Sequence, residues 1–288
     1  MSNAILVTGA AGFIGTHLVR ALRKAGYRVH SHSRANGDIA HDPLNYDDVR
    51  RVFHLAGNNF VPESWEKTRS YYEVNVLGAA NVLEFCRHHK AALTLVSSYV
   101  YGKPHSLPID ENHPIQALNP YSHTKILAEE VSRYYATEFE VPVCIIRPFN
   151  TYGPGQDTRF LIPKLISQAL DPSCEQFSVT DLRPRRDYLH VRDLVSLLLA
   201  TLEQPGGVYN AGSGRSVSIV DLVTMINALT NSEKPVVSIN QIRREEILDV
   251  VADVSKAKRD LNWTPKISLI DGLRDAIQST KVVLDASE

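Results

Sequence analysis

The chain has few cysteines, almost no net charge and no long apolar run, and each shortage removes a class of protein. Cys86, Cys144 and Cys174 are the three cysteines among 288 residues. They are odd in number and far apart, so they read as buried or incidental thiols of a reducing compartment, not as a disulfide framework or a metal site. Lys plus Arg total 31 against 32 Asp plus Glu, a formal net charge of −1. That balance gives no electrostatic reason to expect a nucleic-acid or anionic-membrane partner. No stretch of about eighteen apolar residues occurs, so no transmembrane helix is expected. An apolar strand begins at Ala4 and leaves no room ahead of it for the charged and apolar parts of a secretory leader. The expectation is a cytoplasmic protein long enough to bury a full core.

What is present alternates. Ala4–Thr8, Arg28–Ser31, Val52–Ala56, Ala92–Ser97 and Val143–Arg147 are short apolar runs that read as buried parallel strands. Between them, Phe13–Lys24, Ser70–His88 and Tyr121–Phe139 carry apolar residues at helical spacing. Strands alternating with helices predict an α/β fold, a Rossmann-type doubly wound parallel sheet. The segment Asn36–Arg51 is compact, with one small helix predicted at Tyr46–Arg51. Beyond Gly153 the pattern loosens. Helices are predicted over Phe160–Leu170, Val191–Leu202, Ile219–Leu229 and Ile270–Ile277, and strands over Val208–Ala211, Pro235–Ile239 and Asp249–Ala252. The expected organisation is a dinucleotide-binding domain over residues 1–150, rejoined by 187–211, and a smaller C-terminal substrate-binding lobe over 151–288. The cleft between them is the expected site.

T-G-A-A-G-F-I-G, residues 8–15, follows the first strand and opens the first helix. Gly9 permits a tight turn, Gly12 lets the backbone approach a pyrophosphate, and Gly15 allows helix and strand to pack closely. Phe13 and Ile14 begin the helix, whose N-terminal N–H groups favour phosphates. The end of the second strand reads the cofactor's ribose: an acid there holds both hydroxyls, whereas an arginine attracts a 2′-phosphate. Ser33 and Arg34 occupy that place, which favours NADP(H) over NAD(H). Asp38 and Ile39 are placed to hold the adenine by a hydrogen bond and an apolar contact.

S-S-Y-V-Y-G, residues 97–102, ends a strand, and Y-S-H-T-K, residues 121–125, opens a helix. A tyrosine with its ordinary pKa near 10 is a poor acid–base catalyst at neutrality. A lysine four residues later lies on the same helix face, and its charge stabilises the tyrosinate. Tyr121 is thus the candidate proton donor and acceptor. Lys125 is the candidate modulator and cofactor-ribose ligand, and Ser97 the hydroxyl that orients a substrate carbonyl or alcohol.

These pieces resemble the extended short-chain dehydrogenase/reductases of the nucleotide-sugar epimerase/dehydratase group. The glycine turn, the serine stretch and the tyrosine–lysine pair are joined by H-L-A-G (54–57), N-V-L-G-A-A-N-V-L-E (75–84), R-P-F-N-T-Y-G-P-G (147–155), R-D-Y-L-H-V-R-D (186–193), Y-N-A-G-S-G (209–214) and A-D-V-S-K-A (252–257). They keep the family's order over nearly the whole chain. The resemblance implies a nucleoside-diphosphate sugar as substrate, with Leu55 and Ala56 beside the cofactor. It also implies that Asn150 reaches the diphosphate-sugar portion, that Arg186 and Arg243 grip the nucleotide, and that Asn75 stands near the active site. Arg244 is the alternative to Arg243, because the Pro-Gly that usually follows that arginine is replaced here by R-E-E. A homodimer paired through a four-helix bundle of Ser70–His88 and Tyr121–Phe139 is implied as well.

Within that family, dehydratases and decarboxylases carry an acidic residue just after the catalytic Ser or Thr. Ser98 and Tyr99 stand there instead, and neutral hydroxyls do not replace a carboxylate as acid or base. Both residues are counted as substrate-facing. Two reactions need only Ser97, Tyr121 and Lys125: reduction of a 4-keto sugar by NADPH, and epimerisation at C4 with retained NAD. The Ser33-Arg34 pair tilts the expectation to the reductase. Tyr99 leaves epimerisation at a neighbouring ring carbon open, and a non-catalytic NADP(H)-binding sensor protein is the reading from another class.

Overall fold

The computed structural model describes residues 4–241 and 246–285. Its strands are β1 (Ala4–Thr8), β2 (Arg28–His32), β3 (Val49–His54), β4 (Ala92–Val96), β5 (Val143–Pro148), β6 (Asn150–Tyr152), β7 (Phe177–Val179), β8 (Arg185–His190), β9 (Gly207–Ala211), β10 (Ser216–Ser218) and β11 (Val236–Ser238). Its helices are α1 (Phe13–Lys24), α2 (Val61–Glu66), α3 (Thr68–Tyr72), α4 (Gly78–His89), α5 (Pro120–Glu138), α6 (Leu161–Leu170), α7 (Val191–Ala200), α8 (Ile219–Thr230), α9 (Ser255–Leu261) and α10 (Leu269–Asp285). A π-helical turn, Glu73–Leu77, joins α3 to α4.

Six strands form one parallel sheet in the order β2-β1-β3-β4-β5-β9. The chain leaves β1 for β2 on one side and returns as β3 on the other, so the β1–α1 turn lies where the winding reverses. That is where sheets of this kind bind ligands. A three-stranded sheet, β10-β8-β6, and a parallel pair, β11-β7, lie outside it. No described helix is long and apolar enough to cross a membrane.

Alternate residues of the strands feed opposite faces of the sheet. Ile5, Val7 and Phe53 pack with Leu18 and Leu22 of α1 and with Leu194 and Leu198 of α7. Leu6, Val52, Leu93 and Leu95 pack on the other side with Val82 and Leu83 of α4 and Ala128 of α5. A separate core, including Leu165, Phe177, Leu222, Ile226 and Leu273, binds α6, α8 and α10 around the smaller sheets. Leu83 has no exposed surface; its truncation to Ala would cost about 2–5 kcal/mol.

Three sequence expectations change. The small helix over Tyr46–Arg51 is absent. Asp48 takes a left-handed backbone, φ 58°, and from Val49 onward the chain pairs with β1 as β3. The single helix expected over Ser70–His88 is α3, the π turn and α4. Asp249–Ala252 forms no strand, only an isolated bridge from Ala252 to Ile109. Helices α2 and α9 and strands β6 and β10 are too short to show a periodicity in sequence.

Candidate active site

The glycine turn is built as a cradle. Gly9 has φ +68°, and a Cβ there would stand 2.7 Å from the Ala56 nitrogen. At Gly15 a Cβ would meet the Gly9 carbonyl oxygen at 2.1 Å. Both positions exclude side chains, and the close approach puts Leu55 and Ala56 beside the turn. No side chain caps the N-terminus of α1, and its first turn holds no acidic residue. Its N–H groups and positive potential therefore suit a pyrophosphate, and the residues present fit a dinucleotide. Thr8 Oγ1 and His54 Nδ1 lock β1 to β3 beneath this turn at 2.8 Å.

Farther along β1's other neighbour, Asp38 is exposed; its carboxylate accepts from the Ala40 N–H at 2.8 Å and lies 3.3 Å from His41. Ile39 is buried against Gly78 of α4. Ser33 directs both its N–H and its hydroxyl to Asn36 Oδ1, at 2.9 and 3.1 Å, and Arg34 donates to Asn58 Oδ1 at 3.4 Å. The pair is thus engaged in a local surface turn.

The hydroxyl cluster sits where β4 runs out and α5 begins. Asn119 caps α5 in a reciprocal pair with Ser122 and fixes the angle at which Tyr121 enters. Burial pushes the Tyr121 phenol up to about 12, and the Ser98 hydroxyl beside it works in the opposite direction. The Tyr71 ring meets Tyr121 edge to face, with centroids 6.4 Å apart. Lys125 Nζ donates to the Val96 carbonyl oxygen at 2.7 Å. Burial lowers its pKa to about 8, against the pull of the Glu129 carboxylate. His54 is held neutral, at about 3, by burial and by the Lys125 charge.

Ser97 and Ser98, adjacent in sequence, have different surroundings. The Ser97 hydroxyl is buried and makes no hydrogen bond, yet is near enough to Glu129 to favour its charged form. Ser98 is the serine whose hydroxyl acts on Tyr121. Tyr99 donates its hydroxyl to the Gly102 carbonyl oxygen at 2.6 Å and packs on Tyr101 and Phe149. Burial pushes its phenol above the ordinary tyrosine range, so it is a packing residue and a poor acid.

Asn150 stands in β6 opposite Tyr188 of β8, and its Nδ2 donates to the Asp187 carbonyl oxygen at 3.4 Å. Arg186, in β8, donates to Glu246 Oε1 at 2.6 Å and to the Ile247 carbonyl oxygen at 2.7 Å. It also lies near enough to Tyr99 to favour the ionised phenol. Arg243 and Arg244 lie outside the described residues. Asn75, in the π turn, accepts from the Asn58 N–H at 2.8 Å and donates to the Asn58 carbonyl at 3.0 Å and to Thr124 Oγ1 at 2.9 Å. It thereby ties the loop after β3 to α5 between Tyr121 and Lys125.

Sequence reasoning missed Glu129 and Arg147, which are both buried beneath the cluster. The signals were there: Glu129 continues the four-residue spacing of Tyr121 and Lys125, and Arg147 interrupts the apolar run V-C-I-I.

Residues 5–212 match the NAD dependent epimerase/dehydratase family. The putative UDP-glucose 4-epimerase of Methanocaldococcus jannaschii is 31% identical over 96% of this chain and 98% of its own length. The UDP-glucose 4-epimerase of Pisum sativum is 29% identical over 95% of this chain and 94% of its own. MoeE5, solved in complex with UDP-glucose and NAD, superposes with a TM-score of 0.90 at 31% identity, covering 98% of this chain and 99% of that one. These findings overturn the expectation of NADP(H), because the family is NAD dependent and MoeE5 holds NAD. The structure supplies a reason: Ser33 and Arg34 are tied to Asn36 and Asn58 as surface residues, so an arginine after β2 did not by itself mark a 2′-phosphate site. The preference for an NADPH-consuming reductase rested on the same pair and falls with it. The sensor reading falls too, since the relatives are enzymes. The match runs from the first strand to the turn after β9 and takes in the glycine turn, Ser97, Tyr121 and Lys125, which makes this chain an enzyme of the NAD dependent epimerase/dehydratase family.

Proposed function

We propose that the chain interconverts sugars that differ at C4 while carried on a nucleoside diphosphate, with NAD retained through the turnover. The observation that carries this reading is the chemistry around Tyr121. Two serines, a phenol and a lysine gather there, while the two positions after Ser97 hold Ser98 and a Tyr99 whose hydroxyl is engaged by Gly102. The carboxylate near that group, Glu129, is clamped by arginines behind it. Elimination of water would require a further acid or base at those positions, whereas oxidation and re-reduction at one carbon need only a single group that takes up and returns a proton.

The glycine turn and the N-terminus of α1 would hold the pyrophosphate of NAD, with Lys125 toward the nicotinamide ribose. Bound there, NAD supplies an acceptor for hydride and gives the same hydride back. Tyr121, protonated in the protein alone, would reach its phenolate form through the nearby Lys125 cation and the positive charge of bound NAD; the phenolate then takes the proton of the C4 hydroxyl as C4–H leaves as hydride, so the sugar becomes a ketone. Ser97 or Ser98 orients the oxygen. After the ketone turns its other face, Tyr121 returns the proton to the oxygen as hydride re-enters at C4. The net redox change is zero. Asn150 and Arg186 flank the cleft on the β6–β8 side and are the proposed contacts to the diphosphate sugar; there Arg186 would exchange its Glu246 partner for, or share it with, the nucleotide. The uridine nucleotides named for MoeE5 and for the plant and archaeal relatives make UDP-glucose the first substrate to offer. We infer pairing with a second copy across α4 and α5, where Tyr134 and Phe139 are exposed.

The test is to assay the purified protein for bound NAD and supply UDP-glucose, following the C4 epimer by chromatography without added reductant. Release of water from the sugar, or product formed only as added NADPH is consumed, would sink the reading.

A further inference from the structure

Tyr121, Lys125 and Glu129 follow one another at intervals of four along α5, which places all three on one face of the helix. The first two belong to the reaction proposed above. Glu129 has no step in it, yet it is completely buried. A carboxylate removed from water persists as an anion only when paired and hydrogen-bonded. Glu129 Oε1 accepts from Arg147 Nε at 3.0 Å, and Oε2 accepts from Arg147 Nη2 at 2.7 Å and Arg133 Nη2 at 2.6 Å. Arg147 is anchored in turn. Its Nη1 donates to the Tyr101 hydroxyl at 3.1 Å, and that hydroxyl donates to Asn210 Oδ1 at 2.5 Å. The carboxylate is therefore fixed from β5 and β9. Ser97 lies beside this pair: its N–H donates to the carbonyl of Ile146, next to Arg147, at 2.8 Å, it follows Val96, which Lys125 holds, and its buried hydroxyl has no hydrogen-bond partner. It is near enough to Glu129 to favour the charged carboxylate.

We propose that Glu129 is a positioning residue for the reaction: held by Arg147, its carboxylate sets the orientation of the Ser97 hydroxyl and maintains the cation of Lys125 one helical turn away. This rests on the epimerase reading for the identity of the reaction. A buried ion pair is weak as a source of stability, because apolar residues of similar volume often serve as well. What distinguishes this one is its placement, with a catalytic hydroxyl on one side and a catalytic lysine on the other.

The surroundings identify which charges act on which group. Facing Lys125 are the His54 imidazole from β3, the Val96 carbonyl of β4, and Tyr121 and Glu129 on its own helix. Facing Glu129 are Arg133 on its own helix, Arg147 from β5, Ser97 after β4 and Tyr101 beyond it. In the cofactor-free protein His54 is neutral and Tyr121 is protonated at ordinary pH, so among the described residues Glu129 is the anion in the Lys125 group. Burial lowers the Lys125 pKa to about 8, and Glu129 opposes that shift. Removing the anion lets it fall further.

Glu129→Gln keeps the shape and one acceptor for Arg147 but loses the charge. The Lys125 side-chain nitrogen, followed by nitrogen-15 resonance, should titrate about one unit lower, and the alkaline limb of kcat/KM should move with it. Loss of the oriented hydroxyl should lower kcat on the order of 10–100-fold, with KM for the sugar nucleotide within about threefold. In a Ser97→Ala background the same substitution should cost clearly less, since the two act as a unit. If Glu129→Gln does not fold, Glu129→Met with Arg147→Met replaces the pair by apolar groups and is read in the same way. The Lys125 titration is seen in the protein itself, so it tests Glu129 even if the wild type fails to epimerise the sugar offered, a result that would remove only the reading above. A Lys125 titration that does not move, with kcat falling only in proportion to folded protein, reduces Glu129 to a structural ion pair and overturns the proposal. Losses that add fully in the Ser97→Ala background overturn its Ser97 half.

Discussion

Lys125 Nζ donates a 2.7 Å hydrogen bond to the carbonyl oxygen of Val96, the last residue of β4. The contact binds α5, which carries Tyr121 and Lys125, to the strand that delivers Ser97 and Ser98. The hydroxyls, the phenol and the ammonium therefore stand on a single rigid frame, which holds reacting groups more tightly than loops do.

That frame carries a charge in a place that disfavours it. Burial brings Lys125 from an ordinary 10.5 to about 8, so between those values the folded protein binds fewer protons than the unfolded chain. Stability contributed by this group therefore rises with pH across that window, and below pH 8 the buried cation is a full liability. Lys125→Met should abolish turnover yet stabilise the cofactor-free protein at pH 7 by on the order of 2 kcal/mol. The gain should shrink as pH approaches 10. Urea melts at pH 7 and 9.5 check this, and a gain that is the same at both would show that the lysine charge is not its source.

Tyr121 is pushed up to about 12 in the protein alone, so it enters the reaction protonated unless a neighbouring cation favours the phenolate. Tyr121→Phe removes the proton carrier and leaves the ring contact with Tyr71. Turnover should drop by about 10²–10⁴-fold, while NAD affinity, measured calorimetrically, changes by less than a few-fold. Near-parental turnover would move the proton transfer to another residue.

The glycine turn offers a graded test. A Cβ at Gly15 would lie 2.1 Å from the Gly9 carbonyl oxygen, whereas one at Gly12 would lie 3.2 Å from the same atom. Gly15→Ala should lower stability by about 1–3 kcal/mol and weaken NAD binding at least tenfold. Gly12→Ala should be milder in stability and act mainly on binding. Thermal melts with and without NAD separate the two, and equal losses would mean that the turn gives way as a whole.

The sequence made the parallel sheet and the glycine turn readable because a buried strand and a helix face impose their periods on the residues that form them. β1 and α1 have the predicted bounds, and Tyr121 and Lys125 open a helix as their spacing required. The helix expected at Tyr46–Arg51 was lost to a tertiary effect: pairing with β1 outweighed a local pattern only a turn and a half long. Ser33 and Arg34 misled for a different reason. Charge identity was visible in the text, but Ser33 closes a local turn on Asn36, and Asn58, which holds Arg34, is its neighbour only in space. Glu129 was hidden in the same way, since its partner Arg147 arrives from a strand beyond the helix.

The bridge from Ile109 to Ala252 has a consequence for how the enzyme comes into being. Ile109 exchanges backbone hydrogen bonds with Val251 and Asp253, and Asn210 holds the carbonyl oxygens of Ile109 and Asp253 together. The segment that follows the serines is thus stitched to residues far removed from it in sequence. Contacts so distant in sequence form late, because the intervening chain must first be ordered. During synthesis, Ser97, Tyr121 and Lys125 emerge long before their support does. Competence for chemistry should therefore wait until Val251–Asp253 have been made, and a chain cut after the turn at Gly214 would hold Ser97, Tyr121 and Lys125 without the segment that supports them.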